Sequence, residues 1–429
     1  MPQENYEVGR SRFADAIQLL DLQGEVPFQE NEIESLLPVV EQEIKIKVFA
    51  PTFLKTNEPG FAALPIGETV LSSEAGGTQV RVRVGKTNKA AHVSQLSGVE
   101  QPFPYKEFHD PDHFFRTITS IGAPIINMLR KGKKTHAYDF VYSWPAKFFT
   151  TTYGVDAKPD PKMPKGFVVP FIETVNAGEM LWKHYRNQGL SIPDDSVMIV
   201  SNDAACGLLN HKGAHVGLVD GTGIGEGMAL PDKNGIFWIY NTEIGELVSF
   251  PLSAYEQQVH TKLSINKRHL ETIAGGDNMG EVLDAIIRDM VKQGIIPYNI
   301  LPEKKFDSKY RSDILANNRK QFHEIFDHFD ERDEETWSML TEIANRLVER
   351  AAQALTIAQI ALIRAYPQAF PDYEIIFPVE GSNFWKTVGF KDEVERNVNQ
   401  HLTNHKVRFV ETSGSLGAMF AALRYRYQR

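Results

Sequence analysis

Val216-Gly217-Leu218-Val219-Asp220-Gly221-Thr222-Gly223 is the stretch on which the fold turns. An apolar run suited to a buried strand leads into an acid and then into a turn of two glycines around a threonine. The glycines allow the backbone to approach a bound anion with its N–H groups turned inward, and Thr222 adds a hydroxyl donor. Three further turns of this make-up each follow a strand-like run: Glu74-Ala75-Gly76-Gly77-Thr78, Glu380-Gly381-Ser382 and Ser413-Gly414-Ser415-Leu416-Gly417. Any one alone reads as a tight turn. Four in a single chain predict a phosphate cradle.

Outward from this stretch, strand and helix alternate. Residues 1–50 read as helical, with Ile33, Leu36, Leu37 and Val40 on one face. From Thr69 to Val84 a hairpin is predicted, with Val80, Val82 and Val84 facing one way and Arg81 and Arg83 the other. The pattern then predicts a helix over 111–130, a strand over 140–142, and a long exposed loop over 154–170 punctuated by Pro159, Pro161, Pro164 and Pro170. A helix over 173–188, a strand over 197–200 and a hairpin turning at Asp232-Lys233-Asn234-Gly235 follow. Helices dominate 255–366, and the longest, over 336–365, carries Trp337, Leu340, Ala344, Leu347 and Ala351 at helical period. A last strand-helix-strand-helix series runs from Ile375 to the final helix after Ser415. The class is α/β.

A chain of 429 residues exceeds one compact core, so two lobes are the simplest organisation. With 42% hydrophobic and 24% charged residues it reads as an ordinary globular protein. A net charge of -9 and a single basic run, Arg130-Lys131-Gly132-Lys133-Lys134, argue against nucleic acid as a partner. Cys206 is the sole cysteine, which excludes an internal disulfide and a cysteine-cluster metal site. The polar start and the lack of a run of roughly 20 apolar residues give no membrane partner and an expected cytoplasmic location. The oligomeric state is not legible. No Gly-x4-Gly-Lys-Ser/Thr run is present. In Gly221-Thr222-Gly223-Ile224-Gly225-Glu226, glutamate stands where a dinucleotide fingerprint needs glycine, so a dehydrogenase is disfavoured.

Polar residues gather between the turns. Ser201-Asn202-Asp203 ends one strand, where α/β sheets collect ligand groups, Asn241-Thr242-Glu243 ends another, and Glu271 precedes Gly275-Gly276. Phosphoryl transfer to a polyol needs a carboxylate to accept the hydroxyl proton and further polar groups to hold the acceptor in line. Asp203 suits the base, with Asn202, Glu243 and Glu271 as positioning groups. For each alone the plainer reading is a helix cap or turn residue.

Taken in order, these segments resemble the hexokinase family along nearly the whole chain. Ala50-Pro51-Thr52-Phe53 is similar to the segment before the first phosphate loop, and Gly76-Gly77-Thr78 with Arg81 to that loop. Ser143-Trp144-Pro145 and Lys165-Gly166-Phe167 resemble its sugar-contact segments, and Asn202-Asp203 the block whose aspartate is the base. Gly221-Thr222-Gly223, Asn241-Thr242-Glu243, Glu271 with Gly275-Gly276 and Met279-Gly280-Glu281, and Gly381-Ser382 follow in the family's order.

The resemblance implies a two-lobed actin-like ATPase (ribonuclease H-like) fold with a central cleft. Its small lobe would span 67–201 with 415–429, and its large lobe 1–66 with 202–414. It implies ATP as nucleotide, held by Gly76, Gly77, Thr78, Arg81, Gly221, Thr222, Gly223, Gly381, Ser382 and Ser415, with Mg2+ served by Glu74. The hexose would be held by Ser143, Lys165, Asn202, Asp203, Glu243 and Glu271. The implied activity is ATP-dependent phosphorylation of a hexose, glucose at its 6-hydroxyl, entering glycolysis. Three positions depart from the family: Glu74 for aspartate, Gly225 for asparagine and Pro164 for threonine. They leave open a kinase for another polyol or amino sugar, and a sugar-binding regulatory protein with little turnover.

Overall fold

The computed structural model of the chain describes residues 11–55, 64–76, 79–88, 93–102, 108–132, 135–143, 146–160, 169–211, 213–262, 268–370 and 373–428. Two helices open it, α1 (Arg12–Leu22) and α2 (Glu30–Ile46), followed by strand β1 (Ala50–Lys55). Next come β2 (Thr69–Ala75), β3 (Gln79–Thr87), β4 (Val93–Pro102), α3 (Pro111–Ile121), α4 (Ala123–Arg130), β5 (Ala137–Tyr142), β6 (Ala146–Thr151), β7 (Gly154–Pro159), α5 (Ala177–Asn187) and β8 (Val197–Ser201). All seven strands from β2 to β8 form one sheet in the order β4-β3-β2-β5-β8-β7-β6. Its middle, β2, β5, β8 and β7, is parallel, and β3, β4 and β6 close it as antiparallel edges.

After α6 (Asp203–Leu209) come β9 (Val216–Asp220), β10 (Ile224–Pro231) and β11 (Phe237–Asn241). Helices α7 (Ala254–Lys262), α8 (His269–Ala274), α9 (Gly276–Lys292), α10 (Ser308–Leu315) and α11 (Glu334–Ala365) follow. The chain ends on β12 (Glu374–Glu380), α12 (Ser382–Lys386), α13 (Phe390–His401), β13 (Lys406–Glu411) and α14 (Gly414–Gln428). The second sheet runs β1-β11-β10-β9-β12-β13, with β9, β12 and β13 parallel.

Each sheet carries its own apolar core. In the first, Val80, Val82 and Val84 are buried while Arg81 and Arg83 stay half-buried on the other face, as the alternation predicts. β5 and β8 are buried on both faces, as helix-covered parallel strands must be. The second core centres on α11, whose 32 residues begin at a cap where Asp333 accepts the Thr336 N–H at 3.0 Å. Helix α6 packs against α14 on one side and against β9 and β10 on the other, so it lies where the two sheets meet.

Two expectations need correction. The predicted helix over 111–130 is two helices, broken at Gly122, where an added Cβ would come within 2.9 Å of a Val82 methyl. The predicted loop over 154–170 begins as strand β7, paired in parallel with β8, and its remainder at 161–168 lies outside the described residues. Asp156 anchors that strand: its carboxylate accepts N–H bonds from Ala157 and Gly178 at 2.7 Å and the Tyr153 hydroxyl at 2.6 Å. A proline-rich composition reads as loop, but the strand is held by distant partners that composition does not carry.

Candidate active site

The carboxyl ends of the strands supply the polar residues. At the end of β8, Asn202 caps α6 by accepting the Ala204 N–H at 3.0 Å, and Asp203 becomes the first residue of that helix. Asp203 accepts the Ala204 N–H at 2.8 Å and a hydrogen bond from the Ser143 side chain, which follows β5. Burial pushes its carboxyl up to about 6, and the negative charge of Glu74 adds to the rise against these hydrogen bonds. The structure thus brings Ser143, Asn202 and Asp203 together. Lys165 lies outside the described residues, as do Trp144, Pro145, Gly77 and Thr78.

Glu243 and Glu271 approach from the second sheet. Glu243 follows β11 with φ 49°, in the left-handed region, and its Oε1 accepts from the Asn241 amide at 2.8 Å. Burial raises its carboxyl, as do the neighbouring charges of Glu246 and Glu271, while Arg268 and Lys47 pull it down. Glu271, on α8, receives the Ile224 N–H at 3.3 Å and the Arg268 guanidinium at 3.0 Å. Glu271 also packs beneath Gly223, where an added Cβ would meet its carboxylate at 2.9 Å. Gly225 leaves space: a Cβ there would meet nothing closer than Ala204 at 3.7 Å. Glu226 turns to the opposite face and bonds Thr242 and Gln359 of α11, so it does not stand in for the missing side chain at 225.

The glycine turns converge at the other end. Gly221 and Thr222 give their carbonyls to the N–H groups of Gly276 and Asp277 at 3.0 and 3.1 Å, which fastens the turn to the start of α9. Gly381 has φ 133°, and an added Cβ would lie 2.0 Å from the Asp220 carbonyl, so only glycine allows the turns after β9 and β12 to approach this closely. Ser382 then begins α12. At the first turn, Glu74 holds Arg81 at 2.5 Å and accepts the Ser415 hydroxyl, while Arg83 reaches Ser415 at 2.8 Å. Gly76, Arg81, Glu74 and Ser415 therefore share one corner, with part of that turn outside the described residues.

Four residues of the site are given no role by the sequence alone. Glu380 ends β12, accepts the Gly414 N–H at 2.5 Å, and is pushed up to about 7 by burial and by the charges of Glu74 and Asp203. Asp220 ends β9 and is pushed up to about 7 by burial, with Asn383 donating to it at 2.8 Å and Arg311 nearby. Arg311, fully buried on α10, donates to Asn383 at 2.5 Å and to Thr387 at 3.0 Å and so ties the turns together from beneath. An acid directly before a glycine turn at a strand end was a readable signal for Glu380 and Asp220. Asn383 and Arg311 meet across 72 residues and left no local trace.

Among the described residues no group of three or more His, Cys, Asp or Glu is placed to hold a metal unaided, and no helix is long and apolar enough to cross a membrane. The charge of Glu74 nevertheless reaches both Asp203 and Glu380, and that of Asp203 reaches Glu380. That arrangement fits a magnesium ion that arrives on phosphate oxygens and needs only one or two protein carboxylates.

Known proteins agree with this construction. The hexokinase family profile matches residues 221–424. The solved structure of a hexokinase from Schistosoma mansoni complexed with glucose is similar over 96% of this chain and 100% of its own, at 17% identity and a TM-score of 0.80. A second hexokinase crystal structure covers 96% of this chain and 99% of its own, at 14% identity and a TM-score of 0.72. No curated protein sequence is similar enough to match. The chain therefore shares the hexokinase fold over nearly its whole length, and its residues 221–424 match the hexokinase family profile.

Proposed function

We propose that the protein transfers the γ-phosphoryl group of ATP to the 6-hydroxyl of glucose, with Asp203 as the base, supplying glycolysis in the cytoplasm. The observation that carries this reading is the seat of Asp203. It begins the helix that lies where the two sheets meet, is joined to Ser143 of one, and is followed by Ala204, which lies against Gly225 of β10, the strand whose Ile224 N–H bonds Glu271. Asp203 takes the proton of the hydroxyl as its oxygen bonds to phosphorus, and the bond from phosphorus to the β-γ bridging oxygen breaks to release ADP. Ser143, Lys165, Asn202, Glu243 and Glu271 hold the remaining hydroxyls.

The nucleotide phosphates would lie against Gly76, Gly77, Thr78, Gly221, Thr222 and Gly223, with Gly381 and Ser382 on the adenosine side and Arg81 and Ser415 near the first turn. The amino end of α14 supports an anion there, since its first N–H already serves Glu380. Magnesium offsets phosphate charge when bound, and Glu74 with Glu380 would hold it. The small lobe would comprise 67–201 with 415–429, and the large lobe 1–66 with 202–414. Closure of the two would exclude water as a competing acceptor.

Coupled ADP release measured across a panel of hexoses, polyols and amino sugars tests the reading, with phosphorus NMR locating the phosphate on the product. Glucose-dependent release and a 6-phosphate are expected. Absence of ADP release with every sugar, with ATP or other nucleotides as donor, would overturn it.

A further inference from the structure

At the acceptor end a cation stands beside the two carboxylates assigned to the sugar. Arg268 Nη1 lies 3.0 Å from Glu271 Oε1, and its charge also reaches Glu243 and Glu246. With Arg268 on one oxygen and the Ile224 N–H on the other, the Glu271 carboxylate is fixed from both sides. The backbone adds a second, independent observation. Arg268 has φ 103° and ψ 43°, a conformation that glycine adopts freely and a side chain resists. Residues held this way concentrate at functional sites, where the surrounding contacts enforce them. Glu243, its neighbour in charge, also has a left-handed backbone, with φ 49°.

The charges around Glu243 can be counted. Glu246 and Glu271 add negative charge, while Arg268 and Lys47 oppose it. Lys47 is already paired with Glu246 at 3.1 Å. Among the described residues, Arg268 is thus the cation that pairs with Glu271 and also opposes the charge of Glu243. Without it, two half-buried carboxylates would attract an ammonium group.

We propose that Arg268 sets the charge selectivity of the acceptor site: it holds Glu271 in position and offsets the paired carboxylates, so that an uncharged polyhydroxy sugar is taken and one bearing an ammonium is turned away. The inference rests on the proposed sugar kinase reading and names its substrate class. Arg268 acts through Glu271 and Glu243, as a positioning residue.

The test compares Arg268→Gln, Arg268→Lys and Arg268→Gly with wild type, using glucose and its 2-amino analogue at neutral pH, where that amine is largely protonated. In Arg268→Gln the KM for glucose is expected to rise about tenfold, kcat to change by less than about threefold, and the preference for glucose over the amino sugar in kcat/KM to fall about tenfold. Arg268→Lys keeps the preference. Arg268→Gly shows the kinetic change of Arg268→Gln with a melting temperature at or above wild type, because glycine relieves the backbone; this separates charge from fold. Unchanged preference in both Arg268→Gln and Arg268→Gly would overturn the proposal, whatever their stability. Calorimetric Kd values for the two sugars are measured in parallel. If wild type binds both but phosphorylates neither, the kinase reading fails, and the Kd ratio still decides the role of Arg268.

Discussion

Asp203 is an ordinary aspartate by sequence, and its chemistry comes from where the fold seats it. A carboxyl raised to about 6 must lose its proton before it can accept one, so kcat/KM for the sugar should fall as pH drops through about 6. The acid limb of a pH–rate profile checks this, and a flat profile between pH 5 and 7 would disagree. Asp203→Asn keeps shape and hydrogen bonding but cannot accept the proton, and turnover should drop at least about 10²-fold with sugar affinity little changed. Glu243→Gln should act mainly on the KM for sugar. At position 225 the space is real, since the nearest atom to an added Cβ is at 3.7 Å. Gly225→Asn is therefore expected to fold normally and to tighten glucose by about 0.5–1.5 kcal/mol, the net worth of one added hydrogen bond, as titration calorimetry would show.

Helix α11 shows how an element outside the cleft holds it in shape. Arg350 donates to both oxygens of buried Glu256, at 2.8 and 3.0 Å, and to the carbonyls of Val26 and Pro251, binding the α1–α2 connection and α7 to the long helix. Arg350→Met would strand a buried carboxylate, and losing one partner of such a pair costs about 3–5 kcal/mol. Urea denaturation measures that loss. Two and a half turns further on, Gln359 reaches Glu226, whose carboxyl burial pushes up to about 8. Because the folded state keeps this proton and the unfolded chain releases it near the usual glutamate value, stability is full below that value and declines as pH rises towards 8. Glu226→Gln should flatten this decline, raising the melting temperature above pH 8 and leaving it nearly unchanged in mild acid.

For the whole molecule, the proposed sugar ligands come from both sheets: Ser143 after β5 on one side, Glu243 and Glu271 on the other. A sugar held by both draws them together. Saturating glucose should therefore reduce the radius of gyration in small-angle scattering, and an unchanged profile would count against closure.

The amino-acid sequence by itself determined the strands beside the glycine turns, the alternation of β3, the long helical period of α11, and the candidates Asn202, Asp203, Glu243 and Glu271. Each of these is written in neighbouring residues, through side-chain period or through the backbone freedom of glycine. Tertiary structure decided the rest. β7 exists because β8 pairs with it, and Val82 leaves room only for glycine at position 122. Glu380 joins Glu74 and Asp203, Arg311 fastens Asn383 beneath Asp220, and Arg268, beyond its local partner Glu271, reaches Glu243 and Glu246 only when separate segments meet. The raised carboxyls share that origin, since desolvation and the approach of like charges depend on what the fold places around a group.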